Sequence, residues 1–185
     1  MHSLNGWRAV SFAQSFARAC LMKSILAMTL ATSAALAAGD TRASMQESPL
    51  QGTWVLVAAD KILPSGERTQ DYGKSPKGRL IVDSQGRYSL QIFKSERLTF
   101  ASGEKAQGTA AEYASASLGC STHYGTVVAD VEQHILTFKI EDASFPNWEG
   151  TSQKREYTLK DDVLTYRVPP RADGTIPISV WKRLD

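Results

Sequence analysis

The sequence predicts an all-β chain: eight antiparallel strands running up and down and closing as a barrel, with one short helix as a lid. Three observations carry this. Eight segments are β-branched, aromatic or alternating in polarity, at regular spacing. Most connections between them are short and carry Gly, Pro, Ser or Asp, as tight turns require. A single stretch, Glu96–Leu118, breaks the β pattern and contains a helix signature. Consecutive antiparallel strands in this number favour closure, and an eight-stranded barrel has room for packed side chains or one small ligand. A two-sheet sandwich is the rival architecture.

Gly52–Ala59 opens the fold as an apolar, β-branched strand. Pro64-Ser65-Gly66 is a turn, and Tyr72–Gly78 reads as an irregular loop. A hairpin follows, Arg79–Asp83 and Arg87–Phe93 about Ser84-Gln85-Gly86, with Tyr88, Leu90 and Ile92 on one face. Thr109-Ala110-Ala111-Glu112 is a capping box, so Ala110–Leu118 forms a short helix that Gly119 ends. This helix is expected across a barrel mouth. Strands resume at His123–Ala129 and His134–Asp142, the latter with Leu136, Phe138 and Ile140 on one face. Gln153–Lys160 sets Tyr157 and Leu159 together, and Val163–Val168 sets Leu164, Tyr166 and Val168 together. Ile176–Leu184 is the last strand.

One connection is unlike the others. Ser144-Phe145-Pro146-Asn147-Trp148-Glu149-Gly150-Thr151 places two large rings in a loop, where an ordinary hairpin needs about two to five polar residues. Large rings in a loop lie on something apolar, so this segment is expected to close one end of the barrel.

The chain has 185 residues, 42% hydrophobic and 22% charged, enough for one domain with a real core. Arg8, Arg18 and Lys23 are its only charged residues before Asp40, so 18 Lys and Arg face 19 Asp and Glu in the remainder. That balance offers no basic face for nucleic acid. Lys23, the apolar run Ile25–Ala31 and the small residues Ala35–Gly39 follow the order of a secretory signal peptide, cleaved after Ala37 or Ala38. Met22 is an alternative start. The apolar run is short for a bilayer core of about 30 Å, and no later stretch is long enough to span one. Residues 1–38 are therefore read as signal peptide and leader, 39–49 as a disordered lead-in, and 50–185 as the barrel domain. Export to the periplasm or beyond follows. Cys20 leaves with the leader, so Cys120 has no partner and reads as a small buried residue.

Candidate ligand-binding residues are Tyr88, His123, Tyr124, Phe138, Trp148 and Tyr166. Singly, each reads as core. Together they put polar tips on apolar bodies, as pockets that orient a ligand do. Arg155 and Glu156 alternate on a strand and read as exterior. No metal-ligand spacing, phosphate cradle or cofactor motif is found. If the protein is an enzyme, His123 and Glu149 are the acid–base candidates with Tyr124 beside them. Glu149 would act only if rings bury it and raise its pKa, and a solvated loop acid is its plainer reading.

Gly52-Thr53-Trp54, Pro76-Lys77-Gly78 with Gly86-Arg87-Tyr88, and Ser144–Thr151 with Gln153-Lys154-Arg155 together resemble the lipocalin-like domain family of bacteria and fungi. The likeness covers Leu50–Leu184. It implies a lipocalin-like antiparallel barrel and small apolar ligands. It also implies that Arg183 of the last strand covers Trp54 of the first, closing the barrel's bottom by a cation–π contact. The disulfide of many lipocalins is missing. The expected function is thus an exported protein holding a small hydrophobic molecule without a cofactor. The alternative is a cofactor-free isomerase, cyclase or lyase using the same cavity. A solid barrel that serves only as a structural or partner-binding domain is the third reading.

Overall fold

The computed structural model describes residues 48–184. The leader and all but the last two residues of the lead-in lie outside the described residues. Nine strands and one α-helix follow in order: β1 (Gly52–Ile62), β2 (Arg68–Gln70), β3 (Lys77–Val82), β4 (Arg87–Phe93), α1 (Ala110–Leu118), β5 (Cys120–Asp130), β6 (Ile135–Ala143), β7 (Ser152–Lys160), β8 (Val163–Arg167) and β9 (Ile176–Leu184). Neighbours in the sheet run β2-β1-β3-β4-β5-β6-β7-β8-β9, and β9 returns to pair with β1. Eight strands therefore close an antiparallel up-and-down barrel.

The ninth strand, β2, is an addition to the expected eight. It pairs with Asp60–Ile62, the far end of β1, while β3 pairs with Gly52–Val55 at the near end. Arg68-Thr69-Gln70 has no apolar alternation, so only its partner makes it a strand. Arg68 Nε lies 2.8 Å from Asp60 Oδ2 across that pairing.

Where strand faces alternate, the core follows. Tyr88, Leu90 and Ile92 of β4, Leu136, Phe138 and Ile140 of β6, and Leu164 and Tyr166 of β8 are all buried. β1 carries a bulge between Leu56 and Ala58: Trp54 and Leu56 point in, Val57 is exposed, and beyond the bulge Ala59 rather than Ala58 is buried. A second register shift lies between Tyr124 and Gly125 of β5. Gly125 has φ +152°, and a β-carbon there would run into the Lys139 carbonyl oxygen. Glycine is the residue that lets β5 and β6 meet at this shift.

The two ends of the barrel differ. At the lower end the strands are joined by short turns. Asp161 and Asp162, φ 49° and 62°, form a two-residue hairpin of the mirror-image type that matches strand twist. Trp54, Leu80, Leu136, Leu164 and Trp181 fill this half and are fully buried. Below them Trp54 Nε1 donates to the Leu50 carbonyl at 2.8 Å. The Arg183 guanidinium lies 4.1 Å from the Trp54 ring centroid. It donates to the Pro49 carbonyl at 2.7 Å and to that of Gln51, and Nε reaches Asp162 Oδ1 at 3.0 Å. The upper end carries the long connections.

The helix forms where the capping box puts it: Thr109 N donates to Glu112 Oε2 at 2.6 Å, and Glu112 N donates to Thr109 Oγ1 at 3.3 Å. Its expected place as a lid is corrected by its neighbours. Glu112 Oε1 accepts from Ala101 N, and Tyr113 stacks edge-on against Phe100. The helix is thus knitted into its own loop, and none of its residues lines the barrel cavity.

Arg183→Met is expected to destabilise the protein by about 2 kcal/mol, from the lost ring contact and the lost carbonyl caps. Urea denaturation would show this as a lower midpoint at unchanged slope. An unchanged midpoint would mean the bottom closure contributes nothing to stability.

Candidate functional site

The upper half of the barrel is hollow. A cavity of about 360 Å³ opens upward between the β1–β3, β6–β7 and β8–β9 connections. Its walls include Ala59, Leu90, Ile92 and Ile178, with Val168, Pro169, Pro170 and Pro177 toward the rim. Trp148 also lines it, half-buried on a single 3-10 turn, Pro146–Trp148. The aromatic loop therefore contributes one ring to the cavity. Phe145, 49% exposed, rests edge-on against Trp148 from outside.

The floor is a polar and aromatic layer. Arg155 of β7, which sequence reading placed outside, points into the barrel and is 4% exposed. Its guanidinium lies 4.2 Å from the Phe138 ring centroid and 5.0 Å from that of Tyr166. Nη2 donates to Gln153 Oε1 at 2.9 Å and faces His123 Nε2 at 3.3 Å. A guanidinium can only donate, so Nε2 accepts and the proton of the neutral ring sits on Nδ1. Nδ1–H then donates to the Tyr88 hydroxyl oxygen, 2.7 Å away. Arg155, His123 and Tyr88 form one directed chain across the floor.

Burial sets the protonation here. It drives the His123 pKa down to about 3, and the Arg155 charge pushes the same way. Burial raises the Tyr88 hydroxyl above its usual range. Burial also lowers the Arg155 pKa. The intrinsic basicity of a guanidinium still keeps it charged.

The mouth holds a second polar group. Asp71 lies 2.8 Å from Arg171 and 3.2 Å from Lys61. Burial of Asp71 raises its pKa, but the hydrogen bonds and charges of Arg171 and Lys61 outweigh it and hold the carboxyl low. The Asp71–Arg171 pair joins two loops that are 100 residues apart in sequence.

Of the six residues singled out from sequence, His123, Trp148 and Tyr166 line the cavity. Tyr88 and Phe138 are buried in the same layer without lining it, their rings edge to face at 4.9 Å. Tyr124 is a correction: it is 48% exposed on the outer face and donates to Asp142 Oδ2 at 3.3 Å. Successive strand residues face opposite sides, so Tyr124 does not line the barrel cavity with His123. Glu149 is exposed and does not line the cavity. The three acid–base candidates therefore do not converge. Cys120 is half-buried rather than buried. Sequence reading missed Arg155, Gln153, Asp71 and Arg171. The alternation that joins Tyr157 and Leu159 to one face also includes Gln153 and Arg155, so the signal for those two was present. Among the described residues, no helix is long and apolar enough to cross a membrane, and no group of three or more His, Cys, Asp and Glu could hold a metal ion.

The model of the lipocalin-like domain family matches residues 51–184. The chain belongs to this family. Comparison with curated proteins returns no match. The lipocalin-like barrel is a fold suited to binding small hydrophobic ligands.

His123 makes stability depend on pH in a particular window. The folded ring stays neutral, while the unfolded chain takes up a proton near its ordinary pKa of about 6.5. Its contribution is therefore full above that pH and declines as pH falls toward the folded value, by up to about 1.4 kcal/mol per pH unit. Urea midpoints at pH 7, 6 and 5 should fall more steeply for the natural protein than for His123→Gln. Parallel profiles would contradict the neutral, buried histidine. Loss of the Asp71 contribution begins lower, as pH falls through the ordinary carboxylate value of 3.8, and is common to both proteins.

Proposed function

We propose that this lipocalin-like domain is an exported binding protein that holds one small apolar molecule in its barrel. The observation that carries this is the cavity itself: about 360 Å³, walled mainly by apolar side chains, open at one end and closed at the other. Pockets of roughly 300–1,000 Å³ with apolar walls and a few placed polar groups are the usual form of small-molecule sites. At the ~30 Å³ that a water occupies in the liquid, this one holds on the order of a dozen non-hydrogen atoms. The order of charge, apolar run and small residues in Lys23–Gly39 supports export.

Native mass spectrometry against a panel of fatty acids, retinoids and small aromatic compounds tests the binding reading. One-to-one complexes are expected with molecules of about a dozen heavy atoms, and weaker ones with retinoid-sized molecules. Binding should also quench or shift the emission of Trp148, an effect lost in Trp148→Phe. The absence of any complex across the panel would contradict the proposal. N-terminal sequencing of protein recovered outside the cytoplasm should begin after Ala37 or Ala38. An intact leader on all of the protein would contradict export.

A further inference from the structure

We infer that the molecule held in the barrel is a small monoanion, a carboxylic acid with an apolar tail, whose carboxylate sits on Arg155 at the cavity floor. This rests on the cavity-binding reading above and adds the chemistry of the head group. Arg155 carries a permanent positive charge and is 4% exposed. Charged side chains buried to this degree are almost always paired. Here, none of the ion pairs among the described residues involves Arg155. Its contacts go to neutral acceptors, Gln153 Oε1 and His123 Nε2, and to the faces of two rings. Its Nε has no hydrogen-bond partner among the described residues. Neither has the hydroxyl of Tyr166, which lines the same cavity and whose ring lies beside the guanidinium.

The guanidinium and the phenol thus stand together at one end of a space whose walls are apolar along Leu90, Ile92, Ile178 and Trp148 and carry Asp71 and Arg171 toward the mouth. What the site lacks is an acceptor with two oxygens, and a carboxylate supplies it by taking the guanidinium and the phenol together. Charge selects among anions. One buried positive charge is neutralised by one negative charge, whereas a dianion such as a phosphate monoester would leave a buried negative excess. The tail then runs upward along Leu90, Ile92, Ile178 and Val168 to Trp148. A saturated acid of about ten carbons matches the volume.

Decanoate and methyl decanoate, titrated at pH 7.4, separate head group from tail. The acid is expected to bind about ten- to a hundredfold more tightly, the range of charge-assisted hydrogen bonds. In Arg155→Met this gap should fall to about threefold or less. Arg155→Lys, which keeps a charge on a similar stem, should restore part of it. Tyr166→Phe should reduce it by a smaller factor than Arg155→Met. Equal affinities for acid and ester in the natural protein would overturn the inference and leave the cavity reading standing. A gap that survives in Arg155→Met but vanishes in Arg171→Gln would place the carboxylate at the mouth and also overturn it. Failure of both compounds to bind would remove the cavity reading and this inference together.

Discussion

A guanidinium cannot shed its proton to escape an apolar setting, and the upper half of this barrel is arranged around that fact. Most buried titratable groups relax by becoming neutral. His123 does so: burial and the neighbouring charge hold it unprotonated. Arg155 has no such route, so its surroundings carry the adjustment. The faces of Phe138 and Tyr166 offer it electron density, Gln153 offers an oxygen, and His123 turns its bare nitrogen toward it. That choice of nitrogen fixes the tautomer and hands the remaining proton to Tyr88. One charge thereby orders five side chains on five different strands.

Such a layer needs a rigid support, and the lower half supplies it. Two tryptophans and a set of leucines fill the barrel below the floor without exposed surface. The pairing of β9 with β1 removes the free sheet edges, leaving only the three-residue β2 on the outside. The division of labour is simple. Apolar burial below holds the closed sheet together, so the space above need not be filled. Around the mouth the device changes to ion pairs and prolines. Asp71 is shared by Lys61 and Arg171, which ties the first and last upper connections without covering the opening.

Much of this was legible in the chain, and the exceptions have physical causes. The inward faces of β4, β6 and β8 alternate cleanly because each presents apolar residues at every second position. The helix was legible from Thr109 and Glu112, since a capping box is a local interaction. Its position was not, because that depends on how the loop 94–109 folds back on it. Arg155 shares the inward face of Tyr157, but a charged residue in a strand is ordinarily solvated, and residue type masked the periodicity. Tyr124 was misplaced because an exposed aromatic ring resembles a core one: the buried residues of β5 are His123, Gly125 and Val127, so Tyr124 faces out by plain alternation. The Asp71–Arg171 pair joins residues 100 positions apart, which only closure of the barrel brings together.

The central claim is that the charge at the cavity floor is there for a ligand's head group. The most direct measurement is a crystal structure of the protein with decanoate. The account predicts the carboxylate at the floor, its oxygens about 2.7–2.9 Å from the Arg155 nitrogens, with the tail rising past Trp148. A carboxylate at the rim on Arg171, with the tail pushed down against Arg155, would contradict it.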